Sequence, residues 1–143
     1  MTMTASFTNL GEWPARRAAL TPDKIALVDV ATDMRLSYRA LHQRVSALAA
    51  WLQMTHDIRP GDRVAILARN APEYLDAFFA CALLGAITVP LNWRLTPPEL
   101  ATILADCAPR LLLHDAAAHP QAQAALTRWS PPADDARPRG LLG

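Results

Sequence analysis

The spacing of apolar and polar positions changes several times along the chain, and each change marks an element. In "YRALHQRVSALAAWL", Leu41, Val45, Leu48, Ala49 and Leu52 recur at helical spacing and share one face. Arg39, Gln43 and Arg44 fall on the opposite face, and Ser37 stands where a helix cap belongs. "RVAILA", from Arg63, is apolar almost without a break and has strand length, as a parallel strand covered on both faces requires. Asn70 with Glu73 has capping-box spacing and predicts a helix that is apolar nearly all round, hence buried, and that ends at Gly85. "AITVPLN" reads as a second buried strand. Thr96, Pro97 and Glu99 then supply the cap, the first-turn proline and the third-position glutamate of the helix "PELATILADC". "RLLLHD" reads as a third strand. Strands alternating with helices in this way imply right-handed crossovers and a parallel sheet.

The two ends of the chain read differently. Asn9 and Glu12 also have capping-box spacing, but Pro14 would remove a helical hydrogen bond, so a helix from Pro14 to about Leu20 is expected. Two β-prone runs, Ile25 to Val30 and Met34 to Tyr38, flank "ATD" and predict a hairpin. After Asp115, "HPQAQAALTRW" predicts a loosely held helix within 116–129. Residues 130–143 are rich in proline and charge without periodicity, and disorder is the expectation there.

Composition narrows the function classes. The 143 residues suffice for one compact domain, and 52% of them are hydrophobic against 19% charged, which points to a packed interior with apolar surface to spare. The net charge is +1 and the basic residues are scattered, so a nucleic-acid footprint is not expected. Cys81 and Cys107 sit in apolar helical contexts and read as buried thiols of a reducing compartment. His42, His56, His114 and His119 lack paired ligand spacing, so no metal site is expected. The start "MTMTASFTNL" lacks the charged-then-apolar form of a secretory signal, and the run from Ala77 to Val89 is too short to span a bilayer. These features point to the cytoplasm.

In order along the chain, "GEW", "TPDKIALVD", "LSYRALHQRVSALAAWL", "RPGDRVAILARNAPEYLDAFFACALLGAITVPLNWRLTPPEL" and "ILADCAPRLLLHD" resemble the start of the adenylate-forming acyl-CoA synthetases, also called the AMP-binding or AMP-dependent synthetases and ligases. The fatty-acid and aryl-CoA ligases belong to that family. The resemblance covers residue 9 to about residue 115 without a gap, and its weight lies in the ordered series rather than in any one piece. It implies an α/β fold: part of an αβαβα-type layering, with a short parallel sheet flanked by helices, and the hairpin at the N-terminal side. It also implies a ligase reaction in which a carboxylic acid and ATP give an acyl-adenylate, from which CoA displaces AMP. ATP, Mg²⁺ and CoA are then the cofactors of the intact enzyme.

The phosphate loop of that family, similar to Y-T-S-G-T-T-G-x-P-K, does not occur here. Glycine stands only at 11, 61, 85, 140 and 143, with no phosphate-binding spacing, and no catalytic residue of the family has a matching position. The chain therefore resembles a member cut before that loop, with residues 1–115 the incomplete start of the large domain. No catalytic residue and no cofactor of its own are expected in it, and no activity alone. A non-catalytic binding module and one half of a split ligase are the alternatives. Self-association through uncovered apolar sheet is also expected.

Two residues are candidates for ligand contact. Arg94 follows a parallel strand, where ligands of open α/β sheets bind, and the resemblance implies a contact with a phosphate of CoA. The bland alternative is local packing or a pair with Glu99. Asn92 is a weaker candidate at the same turn. Trp93 stands where the family often has proline. Asn70 is read as a helix cap, His42 as a solvated residue, and Trp13, Trp51 and Trp93 as packing groups.

Overall fold

A computed structural model describes residues 9–129 and the backbone of Leu141 and Leu142. In chain order the elements are α1 (Trp13–Leu20), β1 (Ile25–Asp29), β2 (Met34–Ser37), α2 (Tyr38–His56), β3 (Arg63–Leu67), α3 (Pro72–Leu84), β4 (Ile87–Pro90), α4 (Pro97–Cys107), β5 (Leu111–His114), α5 (His119–Arg128) and β6 (Leu141–Leu142). Strands β1 and β2 form the antiparallel hairpin. The remaining strands form a second sheet in the order β4-β3-β5-β6, with every neighbouring pair parallel.

The alternation of side chains along β3 and β5 divides the interior in two. Val64, Ile66, Leu111 and Leu113 face a core built with Leu41, Val45, Ala49 and Leu52 of α2 and Ala77, Ala80 and Cys81 of α3. Ala65, Leu67 and Leu112 face a second core built with Leu100 and Leu104 of α4 and with Ala122, Ala125 and Trp129. Two helical layers thus cover β3 and β5, which is why both strands are apolar at every position from Val64 to Leu67 and from Leu111 to Leu113.

Strand β4 departs from expectation. It is the outer strand of the parallel sheet, Ile87 is 48% exposed, and Pro90 takes the last strand position, which an edge tolerates. Helix α3 is also less enclosed than its composition suggested. Leu75, Phe78 and Leu83 lie on an open face, each a little over a third exposed.

Caps explain most boundaries. Ser37 Oγ accepts from Ala40 N at 3.2 Å, and Thr96 and Glu99 form a complete capping box. Gly85, at φ 69°, ends α3 in the left-handed region that glycine adopts without strain. Asn70 is not a cap. Helix α3 starts two residues later, with Ala71 in the cap position and Pro72 at its first turn. Helix α1 begins at Trp13 rather than Pro14, preceded by a 3-10 turn at Leu10–Glu12 that Asn9 caps through Gly11 N at 2.7 Å. That turn packs so closely on α3 that a Cβ on Gly11 would lie 2.2 Å from the backbone nitrogen of Leu83.

Residues 116–129, expected as a loosely held helix, form α5 after a short turn, with Ala122, Ala125 and Trp129 buried. Of the tail expected to be disordered, Leu141–Leu142 runs beside β5, and 130–140 with 143 lie outside the described residues. Among the described residues no helix is long and apolar enough to cross a membrane.

Candidate functional site

The C-terminal ends of β3, β4 and β5 lie side by side, and the loops that leave them are tied together. Asp115, directly after β5, does most of the tying. One carboxylate oxygen accepts from Arg69 N at 3.0 Å and the other from Ala118 N at 2.7 Å. Gln121 of α5 reaches the loop after β4, where its amide donates to the carbonyl of Trp93 at 3.1 Å and also to that of Leu95. These bonds give backbone groups of the loops after β3, β4 and β5 side-chain partners.

On this frame stand Arg69, Trp93 and Arg94. The guanidinium carbon of Arg94 lies 4.3 Å from the centroid of the Trp93 ring, and that of Arg69 lies 4.9 Å from the same centroid. Contacts of this kind are worth about 0.5–1 kcal/mol at an exposed site, enough to bias a rotamer and too little to immobilise it. Trp93 is half-buried while both arginines are exposed. Trp93 is therefore more than a packing group.

The sequence candidates meet at this place with unequal roles. Asn92 Oδ1 accepts from Arg94 N at 3.0 Å, a turn that uses the side chain locally. Arg94 does not pair with Glu99. That carboxylate accepts instead from Thr96 N at 2.8 Å and from the Thr96 hydroxyl at 2.7 Å, and these bonds hold its pKa below the usual range. Asp115, Gln121 and Arg69 were not singled out from the sequence. They sit in different segments, and only the strand order brings them to one end. The parallel-strand rule did point to that end.

Next to this cluster, on the α2–α3 side, lies an open cavity of about 590 Å³. Its floor is apolar, with Ile66, Ala77 and Leu113, and Tyr74 lines it. At its rim Arg44 donates to Asp76 through Nε at 2.8 Å and Nη2 at 2.5 Å, and to Glu73 at 3.3 Å. The bonds to Asp76 raise the Arg44 pKa further above its ordinary value. The helical pattern put Arg44 on the face opposite the apolar one, and there it closes a partly buried ion pair between α2 and α3.

Of the two cysteines expected to be buried, Cys81 is buried and Cys107 is only half-buried. Burial raises the pKa of the Cys81 thiol, and of Cys107 as well, so neither is held as a thiolate. Among the described residues no three His, Cys, Asp or Glu side chains cluster as metal ligands.

Comparison with known proteins places this arrangement. The model of the AMP-binding enzyme family matches residues 14–137. The chain belongs to that family. Over 105 residues it is 47% identical to a feruloyl-CoA synthase of Amycolatopsis sp, a match that covers 73% of this chain and 21% of that protein. It is 45% identical over 103 residues to an indoleacetate–CoA ligase of Aromatoleum aromaticum, covering 72% and 20%. The crystal structure of the N-terminal domain of FACL13 from Mycobacterium tuberculosis superposes with a TM-score of 0.78 at 33% identity, covering 87% of this chain and 31% of that one. The chain thus spans about a fifth of the length of the curated AMP-binding relatives it matches.

Proposed function

We propose that these residues are the sheet-bearing part of an ATP-dependent acid–thiol ligase. In that reaction a carboxylate oxygen attacks the α-phosphorus of ATP, pyrophosphate leaves, and the acyl-adenylate forms. The sulfur of CoA then attacks the acyl carbon and AMP leaves with the bonding electron pair. The observation that carries the reading is the family match over residues 14–137, read together with relatives named as CoA ligases.

Within that reaction the role of this segment is to bind and position. Arg94 contacts a phosphate of CoA. Its support is its place at the C-terminal end of the parallel sheet, its exposure, and the engagement of Glu99 with Thr96 rather than with the guanidinium. Asn92 serves that contact by shaping the turn that presents Arg94.

These 143 residues alone do not form an acyl-adenylate. The sequence contains no glycine-rich loop to hold the β- and γ-phosphates, on which charge builds in the transition state. ATP–pyrophosphate exchange with any carboxylic acid should stay at background, using protein freed of host ligases. Acid-dependent exchange would contradict this.

The chain by itself also self-associates through its open apolar surface. Leu75, Phe78 and Leu83 on α3 and Ile87 on the edge strand support this. Sedimentation velocity should show an s-value that rises with concentration; a constant monomer value would count against it.

A further inference from the structure

Three side-chain hydrogen bonds converge on the backbone around one exposed arginine. Asn92 Oδ1 accepts from the N–H of Arg94 at 3.0 Å. The side-chain amide of Gln121 donates to the carbonyl of Trp93 at 3.1 Å and to that of Leu95, one on each side of Arg94. Both acceptors are carbonyls, so it is the NH₂ end of the amide, with its two hydrogens, that faces the turn. Gln121 lies 26 residues beyond Leu95, on α5, so this brace is tertiary and not local. Its base is firm. Asp115 accepts from Ala118 N at 2.7 Å just ahead of the helix, and Ala122, Ala125 and Trp129 are buried in the core that α5 shares with α4. The braced turn, by contrast, leaves an edge strand. Its own bonds, Arg94 N to Asn92 Oδ1 and Leu95 N to Asn92 O at 3.1 Å, fix its shape. The bonds from Gln121 fix its place against α5.

We infer that Gln121 is a positioning residue for CoA: its amide pins the turn 92–95 to α5 and so holds Arg94 where the guanidinium meets the ligand. This role rests on the reading of Arg94 as a CoA phosphate contact and adds to it a residue, far away in sequence, that acts only through Arg94. An exposed arginine on a loose turn must have its backbone ordered when the ligand arrives, and that ordering opposes binding. A turn already held in place is spared it, so the two bonds of Gln121 appear as CoA affinity. Helix α5 thereby has a task in binding although it presents no charged group to the ligand.

The test titrates CoA into the 143-residue chain as wild type, Gln121→Met, Arg94→Ala and the double variant, with far-ultraviolet circular dichroism as the check on folding. Methionine matches glutamine in length and has no N–H to donate. Gln121→Met should weaken CoA by about two- to tenfold, the range of a lost neutral hydrogen bond. In the Arg94→Ala background it should cost nothing further, because the residue it positions is gone. Backbone ¹⁵N relaxation should show residues 93–95 more mobile on the picosecond-to-nanosecond timescale in Gln121→Met, with β3 and β5 unchanged. Gln121→Asn keeps the amide on a stem one methylene shorter, which cannot span both carbonyls. It should lose part of the affinity, and it carries the same comparison if the methionine variant does not fold. If Arg94→Ala weakens CoA and the Gln121 variants do not, the positioning role is wrong and the reading of Arg94 survives. An equal loss from Gln121→Met with and without Arg94 overturns the positioning role, as does a loss with the turn as rigid as in wild type. CoA affinity unchanged by Arg94→Ala, or no CoA binding by wild type, overturns both readings.

Discussion

The two ends of the parallel sheet handle arginine in opposite ways. At the N-terminal end Arg110, just before β5, is 5% exposed, with its guanidinium 3.8 Å from Asp62 and 4.0 Å from Asp57. Those carboxylates are shared further: Asp57 pairs with Arg59 at 2.9 Å, and Asp62 accepts from Arg59 N at 2.8 Å. Backbone bonds close the same end, from Gly61 N to Gly85 O at 2.9 Å and from Arg110 N to Arg63 O at 2.7 Å. At the C-terminal end Arg69 and Arg94 are exposed and lie on an aromatic ring, and the local carboxylate is turned to backbone groups. Both ends have basic side chains beside strand termini. Only the surroundings separate an arginine that holds the fold from one that is open to a ligand. An end whose charges are matched internally has nothing left to offer a phosphate.

The comparison is broken most readily at Arg110. Arg110→Ala should lower the unfolding free energy by about 2 kcal/mol, since it strips a buried stem and leaves two carboxylates that keep some water. Urea denaturation followed by circular dichroism measures this, and a loss under half of that would mean that the N-terminal end is not held by charge.

Histidine at that same end gives a pH test. His56, at the end of α2, packs its ring 4.2 Å from that of Trp51, and among the described residues its buried Nε2 has no hydrogen-bond partner. Burial lowers its pKa in the folded state. The unfolded chain then binds a proton below about pH 6.5 that the folded chain does not. Stability should therefore fall as pH drops below that value, and the fall should stop once pH passes the folded pKa. His56→Phe should flatten this part of the profile in chemical denaturation at several pH values, and an unchanged slope would remove His56 as its source.

The smallest effect is expected at the other end. Arg94→Ala and Arg69→Ala should each change stability by less than about 0.5 kcal/mol, since both are exposed and neither forms an ion pair among the described residues. A larger loss in either would make that arginine a structural group.

How far the sequence discloses this contrast depends on what distance along the chain each feature needs. β3 and β5 are legible because a strand covered on both faces must be apolar throughout, and that is a local signature. The edge position of β4 is not, since "AITVPLN" does not reveal its neighbours, although Pro90 within it was a sign of an edge. The start of α3 was misplaced because Asn70 and Glu73 mimic a capping box; Pro72, which fits a first turn, was the better signal. The position of Arg94 at the C-terminal end of the sheet was legible from its place after a strand. Arg69, Asp115 and Gln121 were not, because 46 residues separate Arg69 from the Asp115 carboxylate it bonds, and 28 separate Gln121 from Trp93. Only the order β4-β3-β5 brings them together.

The central claim is that the C-terminal end of the sheet is the phosphate-binding end of a CoA ligase scaffold. Calorimetric titration of CoA into the wild-type, Arg94→Ala and Arg110→Lys chains tests it most directly, at a temperature where all three are folded. Arg94→Ala should bind CoA about ten- to a hundredfold more weakly than wild type, and Arg110→Lys should bind it as wild type does. A CoA affinity that follows Arg110 and ignores Arg94 would contradict the account, because the ligand would then sit at the end whose charges are already matched.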